Sequence, residues 1–159
     1  MLDRLSRELV ALACERGLTV STAESCTAGM VASAIADVPG ASAVLRGGAV
    51  TYCDEVKHEV LGVRSDTLAE HSAVSRETAC EMAEGSRRAF RSDVAVSLTG
   101  YAGPGGGTPA DPAGTVYLAT SDSSGTESHR CVFSGGRNEV RAKAACRALE
   151  LLIERLRVL

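Results

Sequence analysis

Three side-chain types that together can cleave an amide without a histidine fall in two short stretches. Ser25 lies in Glu24-Ser25-Cys26-Thr27, and Tyr52 and Lys57 bracket Cys53-Asp54-Glu55-Val56. A serine hydroxyl is a weak nucleophile until a base takes its proton. A neutral lysine can take it directly or through a tyrosine hydroxyl, then pass it to the leaving amine. Composition singles out the lysine as well: of the 17 basic residues only Lys57 and Lys143 are lysine. Arginine stays charged in proteins, whereas a desolvated amine can be brought toward a neutral pKa. A third stretch, residues 99–107, opens with Thr99-Gly100-Tyr101-Ala102-Gly103 and closes on Gly105-Gly106-Gly107. With so few side chains to bar approach, its backbone amides can close on a phosphate or ribose. It matches neither the Walker GxxxxGK[ST] nor the dinucleotide GxGxxG pattern. Further on, Gly135-Gly136-Arg137 and Arg141 place cations at the start of a helical stretch, suited to a phosphate.

Each stretch also has a plainer reading. Ser25 or Thr27 could cap a helix, Tyr52 could pack at a strand end with Lys57 solvated, and the glycine run could be a surface loop. Metal chemistry has no motif to rest on. The six cysteines (14, 26, 53, 80, 131 and 146) never form a CxxC pair, and His58, His71 and His129 have no ligand-like partner. No cofactor or metal is expected.

These residues need elements to hold them. Residues 2–16 carry Leu5, Leu9, Val10 and Leu12 on one helical stripe, with Gly17 as a left-handed C-cap. Residues 18–23 read as a strand that delivers Ser25 to a strand-to-helix turn. Helix N-terminal N–H groups behind that turn could hold a developing oxyanion, and residues 29–36 read as the helix itself. Residues 43–52 read as a strand with a bend at Gly47-Gly48, and residues 54–61 as a short helix carrying Lys57 and ended by Gly62. Ser75 N-caps a long amphipathic helix to about Phe90. Residues 93–98 form a short apolar strand of the kind covered on both faces. Residues 114–120 and 127–133 form a hairpin around Ser121-Asp122-Ser123-Ser124-Gly125, and residues 138–156 a last helix. Helices before, between and after strands give the expected fold: a single α/β domain, a three-layer α/β/α sandwich with a mixed β-sheet.

At 159 residues and 45% hydrophobic content the chain can bury one sizeable core. Its net charge of −3, without a basic run, argues against nucleic acid as a partner. No apolar stretch approaches the roughly 18 residues of a membrane span, and the N-terminus lacks the features of a signal peptide. A cytoplasmic protein acting away from membranes is expected.

Taken together, AESCTAG at 23–29, GGAVTYCDEVKHEVLGV at 47–63, AVS at 73–75 and TGYAGPGGGTPADPAGTVYLA at 99–119 resemble the CinA C-terminal domain family. The resemblance runs from about residue 5 to residue 155. It implies conversion of nicotinamide mononucleotide to nicotinate mononucleotide and ammonia, with Ser25 as nucleophile and Tyr52 and Lys57 beside it. Substrate contacts are expected from Thr27, Thr99, Gly100, Gly103, Gly105, Gly106 and Arg137. A small-molecule nucleotide is the expected partner, and a homo-oligomer the expected assembly. The family domain also occurs behind a larger domain resembling molybdopterin-binding proteins, and a stand-alone form is expected here. Where the family commonly has a second glycine, Ser-Asn and Gly-Asp-Arg, this chain has Ala28, Cys53-Asp54 and Gly135-Gly136-Arg137. Those departures are expected to touch the pocket lining. Two alternatives stay open: an amidase acting on another nucleotide-like amide, and a catalytically idle nucleotide-binding or protein-partner module.

Overall fold

Period-two alternation along the central strands decides the architecture. In the computed structural model, which describes all 159 residues, the helices are α1 (Leu2–Arg16), α2 (Met30–Ala36), α3 (Asp54–Leu61), α4 (Ser65–His71), α5 (Arg76–Phe90) and α6 (Arg137–Val158). The strands are β1 (Val20–Glu24), β2 (Leu45–Val50), β3 (Val94–Gly100), β4 (Thr115–Asp122) and β5 (Gly125–Val132). They form one sheet in the order β2-β1-β3-β4-β5. β1 is parallel to β2 and β3, while β4 is antiparallel to both β3 and β5.

On one face of this sheet Val20, Val94, Val96, Leu98, Val116 and Leu118 join α1, α2 and α6 in a cluster of 26 buried apolar residues. The positions between them are small and meet α5: Ser21 touches Ser86, Ser97 donates to the Ala79 carbonyl, and Ala119 packs with Ala79 and Ala83. Because side chains alternate across a strand, the same five strands present a large-residue face and a small-residue face. The result is the expected α/β/α sandwich with a mixed sheet. No helix is long and apolar enough to cross a membrane.

The caps read from the sequence are in place. Gly17 and Gly62 are left-handed at φ 63° and 71°, and the Ser75 hydroxyl accepts the Thr78 N–H at 3.1 Å. Three local expectations change. The first strand lies slightly later, at Val20–Glu24. Gly47 and Gly48 make no bend and are ordinary β2 residues; a Cβ on Gly47 would strike the Phe90 ring at 2.5 Å and one on Gly48 the Thr22 hydroxyl at 2.5 Å. They serve close approach rather than a turn. The hairpin turn shrinks to Ser123-Ser124, because Asp122 Oδ1 accepts both the N–H and the hydroxyl of Ser124 and lets pairing run to Asp122↔Gly125. Helix α4 adds an element between Gly62 and Ser75: of its seven residues only Leu68 and Ala69 are apolar, and Glu81 of α5 holds it through the Arg64 N–H and the Thr67 hydroxyl.

Candidate active site

β1 and β3 run parallel, and the chain leaving β1 turns at the carboxyl end of that pair, where open α/β sheets tend to bind ligands. The turn is tied on both sides: Ser25 N–H donates to Leu98 O of β3, and Thr51 N–H, just past β2, donates to Glu24 O. Parallel pairing thus carries the end of β2 to the strand that leads into Ser25, and α3 starts three residues after Thr51.

Lys57 closes the arrangement. Although it sits in the first turns of a short helix, its side chain is 1% exposed. Its Nζ lies 3.0 Å from Ser25 Oγ and 2.8 Å from the Thr51 carbonyl oxygen. Burial holds the Lys57 amine below the usual lysine range, against the opposing pull of Asp54. The neighbouring Cys26 thiol is pushed up to about 11 by burial, so at neutral pH it is a protonated thiol rather than a competing nucleophile.

Ser25, Cys26, Tyr52 and Lys57 line a cavity of about 240 Å³ together with Thr99, Gly100, Gly103, Gly105 and Arg137. The structure therefore gathers eight of the ten sequence-derived site residues around one space. Two fall elsewhere. Thr27 is fully buried with no partner for its hydroxyl and lines a separate cavity behind the turn. Gly106, left-handed at φ 83°, lies beside the Tyr101 ring and does not border the cavity.

Within the cavity the roles divide. The Thr99 hydroxyl donates to the Ala73 carbonyl at 2.7 Å, which draws the stretch before α5 into the wall. Arg137 bridges the mouth, donating to Gly103 O at 3.0 Å and to the Tyr52 hydroxyl at 2.9 Å. Tyr52 is 57% exposed, and its hydroxyl bonds Arg137, not Ser25 or Lys57.

Some expectations about the turn are corrected. The N-terminal amides of α2 are not free to hold an anion: Glu24, fully buried, accepts the N–H groups of Gly29, Val31 and Ala32 at 2.9 to 3.1 Å. Arg141 spends its guanidinium on the Cys26 and Thr27 carbonyls at 3.0 and 3.1 Å rather than facing the cavity. None of Ala28, Cys53, Asp54 and Gly136 borders the cavity, so the departures from the family pattern leave its lining untouched. Sequence reasoning missed Ala73, Val74, Tyr101 and Ala102 as wall residues and Glu24 as a cap. Ala73-Val74-Ser75 and the Tyr-Ala step inside the glycine loop carried the only signal. No three His, Cys, Asp or Glu side chains are gathered at a common point anywhere in the chain.

With this geometry established, comparison with known proteins is informative. The CinA C-terminal domain model matches residues 2–156. A CinA-like protein of Anaeromyxobacter dehalogenans is 49% identical over 150 residues, covering 94% of this chain and 37% of that protein. One of Myxococcus xanthus is 50% identical over 141 residues, covering 88% and 34%. The chain thus spans little more than a third of these relatives. Among solved structures, a competence-damaged protein (CinA) superfamily protein from Klebsiella pneumoniae aligns with a TM-score of 0.96 at 38% identity, covering 100% of this chain and 99% of that one. The competence/damage inducible protein CihA from Agrobacterium tumefaciens aligns with a TM-score of 0.93 at 42% identity, covering 96% and 94%.

Proposed function

Since the chain belongs to the CinA C-terminal domain family, and since Ser25 and Lys57 meet in its cavity, we propose that it is a serine amidohydrolase that converts nicotinamide mononucleotide to nicotinate mononucleotide and ammonia, a recycling step for pyridine nucleotides. The observation that carries this reading is the 3.0 Å contact between a buried lysine amine and a serine hydroxyl. Burial favours the neutral amine. One of its hydrogens goes to Thr51 O, which turns the lone pair toward Ser25. Ser25 Oγ attacks the carboxamide carbon while Lys57 takes its proton. Collapse of the tetrahedral intermediate breaks the C–N bond, and Lys57 returns the proton to the leaving nitrogen as ammonia departs. Water then hydrolyses the acyl-enzyme with Lys57 again as base, freeing the carboxylate.

The cavity is a little smaller than the roughly 300–1,000 Å³ of typical ligand sites. It suits the pyridine ring and its amide, with the ribose phosphate passing outward between Tyr52, Arg137 and the glycine loop. In this reading Tyr52 contacts the substrate at the mouth, its hydroxyl polarised by the guanidinium that donates to it.

The test is ammonia release from nicotinamide mononucleotide, with nicotinate mononucleotide identified by chromatography. Ser25→Ala should lower turnover at least a thousandfold and still bind substrate, because the hydroxyl is needed for attack rather than for holding the nucleotide. A wild-type chain that releases no ammonia, or an alanine variant with near-normal turnover, overturns the proposal.

A further inference from the structure

An amidase needs donors for the oxygen that becomes negative when serine attacks, and the α2 N-terminus cannot supply them because Glu24 occupies it. The turn itself holds two others. Along residues 24–30, the N–H of Ser25 goes to Leu98 O, that of Ala28 to Ser25 O, and that of Met30 to Thr27 O. The N–H groups of Cys26 and Thr27 reach no backbone carbonyl and no side-chain acceptor of another residue.

Their direction follows from the carbonyls. In a trans peptide the C=O and the N–H point opposite ways, and the only cis bond in the chain is Gly103-Pro104. The Ser25 carbonyl turns down the chain to Ala28, so the Cys26 N–H points back. The Cys26 carbonyl is held by Arg141 Nε, so the Thr27 N–H points away from Arg141. Arg141 lines the same cavity as Thr27, and that cavity shares no residue with the one that holds Ser25 and Lys57.

We propose that Arg141 is a positioning residue for an oxyanion hole: by holding the Cys26 carbonyl it fixes the peptide plane that carries the Thr27 N–H and turns that N–H toward the Ser25 cavity, beside the Cys26 N–H that the Ser25 carbonyl sets, so that the two receive the oxygen of the attacked carboxamide. This deepens the amidase reading and rests on it. The fork of a guanidinium spans two carbonyls at once, which a single ammonium cannot do in the same geometry. Glu24 holds the far side of the same turn, so the two peptide planes are set before substrate arrives.

The experiment compares wild type, Arg141→Lys and Arg141→Ala in two assays, with Tm recorded for each. One is turnover of nicotinamide mononucleotide. The other is the rate at which a fluorophosphonate labels Ser25: the Oγ–P bond forms as fluoride leaves, Lys57 takes the serine proton, and the phosphoryl oxygen occupies the hole whatever the natural substrate. Arg141→Ala should lose about 100-fold in kcat and in labelling rate with KM within threefold. Added guanidinium ion should restore at least tenfold of the loss. Arg141→Lys, which keeps the charge, should keep the wild-type Tm and still lose at least tenfold. Arg141→Lys at wild-type kcat and labelling rate overturns the inference, as does a loss confined to KM or a loss that tracks Tm and resists guanidinium. A wild-type chain labelled at Ser25 yet inactive on the nucleotide removes the substrate and leaves the inference to the labelling rates. A wild-type chain that is not labelled removes both.

Discussion

The two layers that enclose the sheet are built from different materials. Beneath α1, α2 and α6 the contacts are between large aliphatic side chains such as Leu9, Leu98, Leu149 and Leu152, all fully buried. Beneath α5 they are mostly between alanines, glycines and hydroxyls, with Met82, Leu61 and Val63 as a small aliphatic group beside them. Ser21 Oγ lies 2.9 Å from Ser86 Oγ and 2.7 Å from Ser92 Oγ, and a Cβ on Gly85 would sit 2.0 Å from the Leu61 carbonyl oxygen. Aliphatic burial contributes about 25 cal/mol per Å² without demanding a fixed orientation. Small residues bury less area but bring backbones close and hold them by hydrogen bonds. The second layer is the one that carries α3, and with it Lys57, up to Ser25. One layer chiefly supplies stability and the other chiefly supplies position.

The largest effect belongs to the lysine. Lys57→Arg keeps the charge but cannot give up a proton near neutrality, so both it and Lys57→Met should lose at least a thousandfold in kcat/KM. On the proposed mechanism only the deprotonated amine is active, and burial lowers its pKa. Activity should therefore rise with pH through a point below the ordinary lysine value, and a pH–rate profile checks this. An active arginine variant would show that position alone, without proton transfer, is what the small-residue layer provides.

A paired stability measurement probes the layers directly. Leu152→Ala should cost about 2–5 kcal/mol by denaturant titration and leave kcat within a few-fold, since the cavity it opens lies in the aliphatic layer. Gly85→Ala should cost about 1–3 kcal/mol from overpacking, offset in part by the better helix propensity of alanine. It should nevertheless lower kcat at least tenfold, because the added methyl pushes Leu61, the last residue of α3, away from α5, and α3 carries Lys57. Equal kinetic effects from the two changes would erase the distinction between the layers.

The smallest expected effect sits in the turn. Ala28 is held at φ 50°, a left-handed conformation that a Cβ disfavours. Ala28→Gly should raise stability by about 1 kcal/mol, read as a Tm increase of a few degrees. No gain would mean that the strain is relieved elsewhere in the turn.

The layered fold was legible because its signals are local: alternation in residues 94–98, helical stripes in 2–16 and 138–156, and left-handed glycines at the ends. The meeting of Ser25 and Lys57 was legible from residue type and from the rarity of lysine. What escaped depends on long-range partners. Glu24 reads as a polar strand end until α2 folds back over it. Arg141 reads as a cation suited to a phosphate until α6 brings it against the Cys26 and Thr27 carbonyls. Thr27 was assigned to the pocket by adjacency to Ser25, yet its side chain is fully buried and lines the separate cavity that Arg141 also lines. Gly47-Gly48 looked like a bend because the partners that need the space, Phe90 and Thr22, lie far along the chain.

The pairing of β1 with β2 contains one irregularity: Val20 pairs with Leu45 and Ser21 with Gly47, which leaves Arg46 without a counterpart. Beyond that step the ladder runs in phase to Glu24↔Val50, and the following amide, Thr51, reaches the Glu24 carbonyl. The separation between base and nucleophile is therefore counted out in residues along a ladder, and the extra residue at Arg46 is part of the count. A slip of one rung would turn every β2 side chain to the opposite face and carry Lys57 out of reach of Ser25. On the amidase reading, turnover doubles as a gauge of strand register: a chain that is folded, helical and compact, but threaded one notch off, would be silent in the assay.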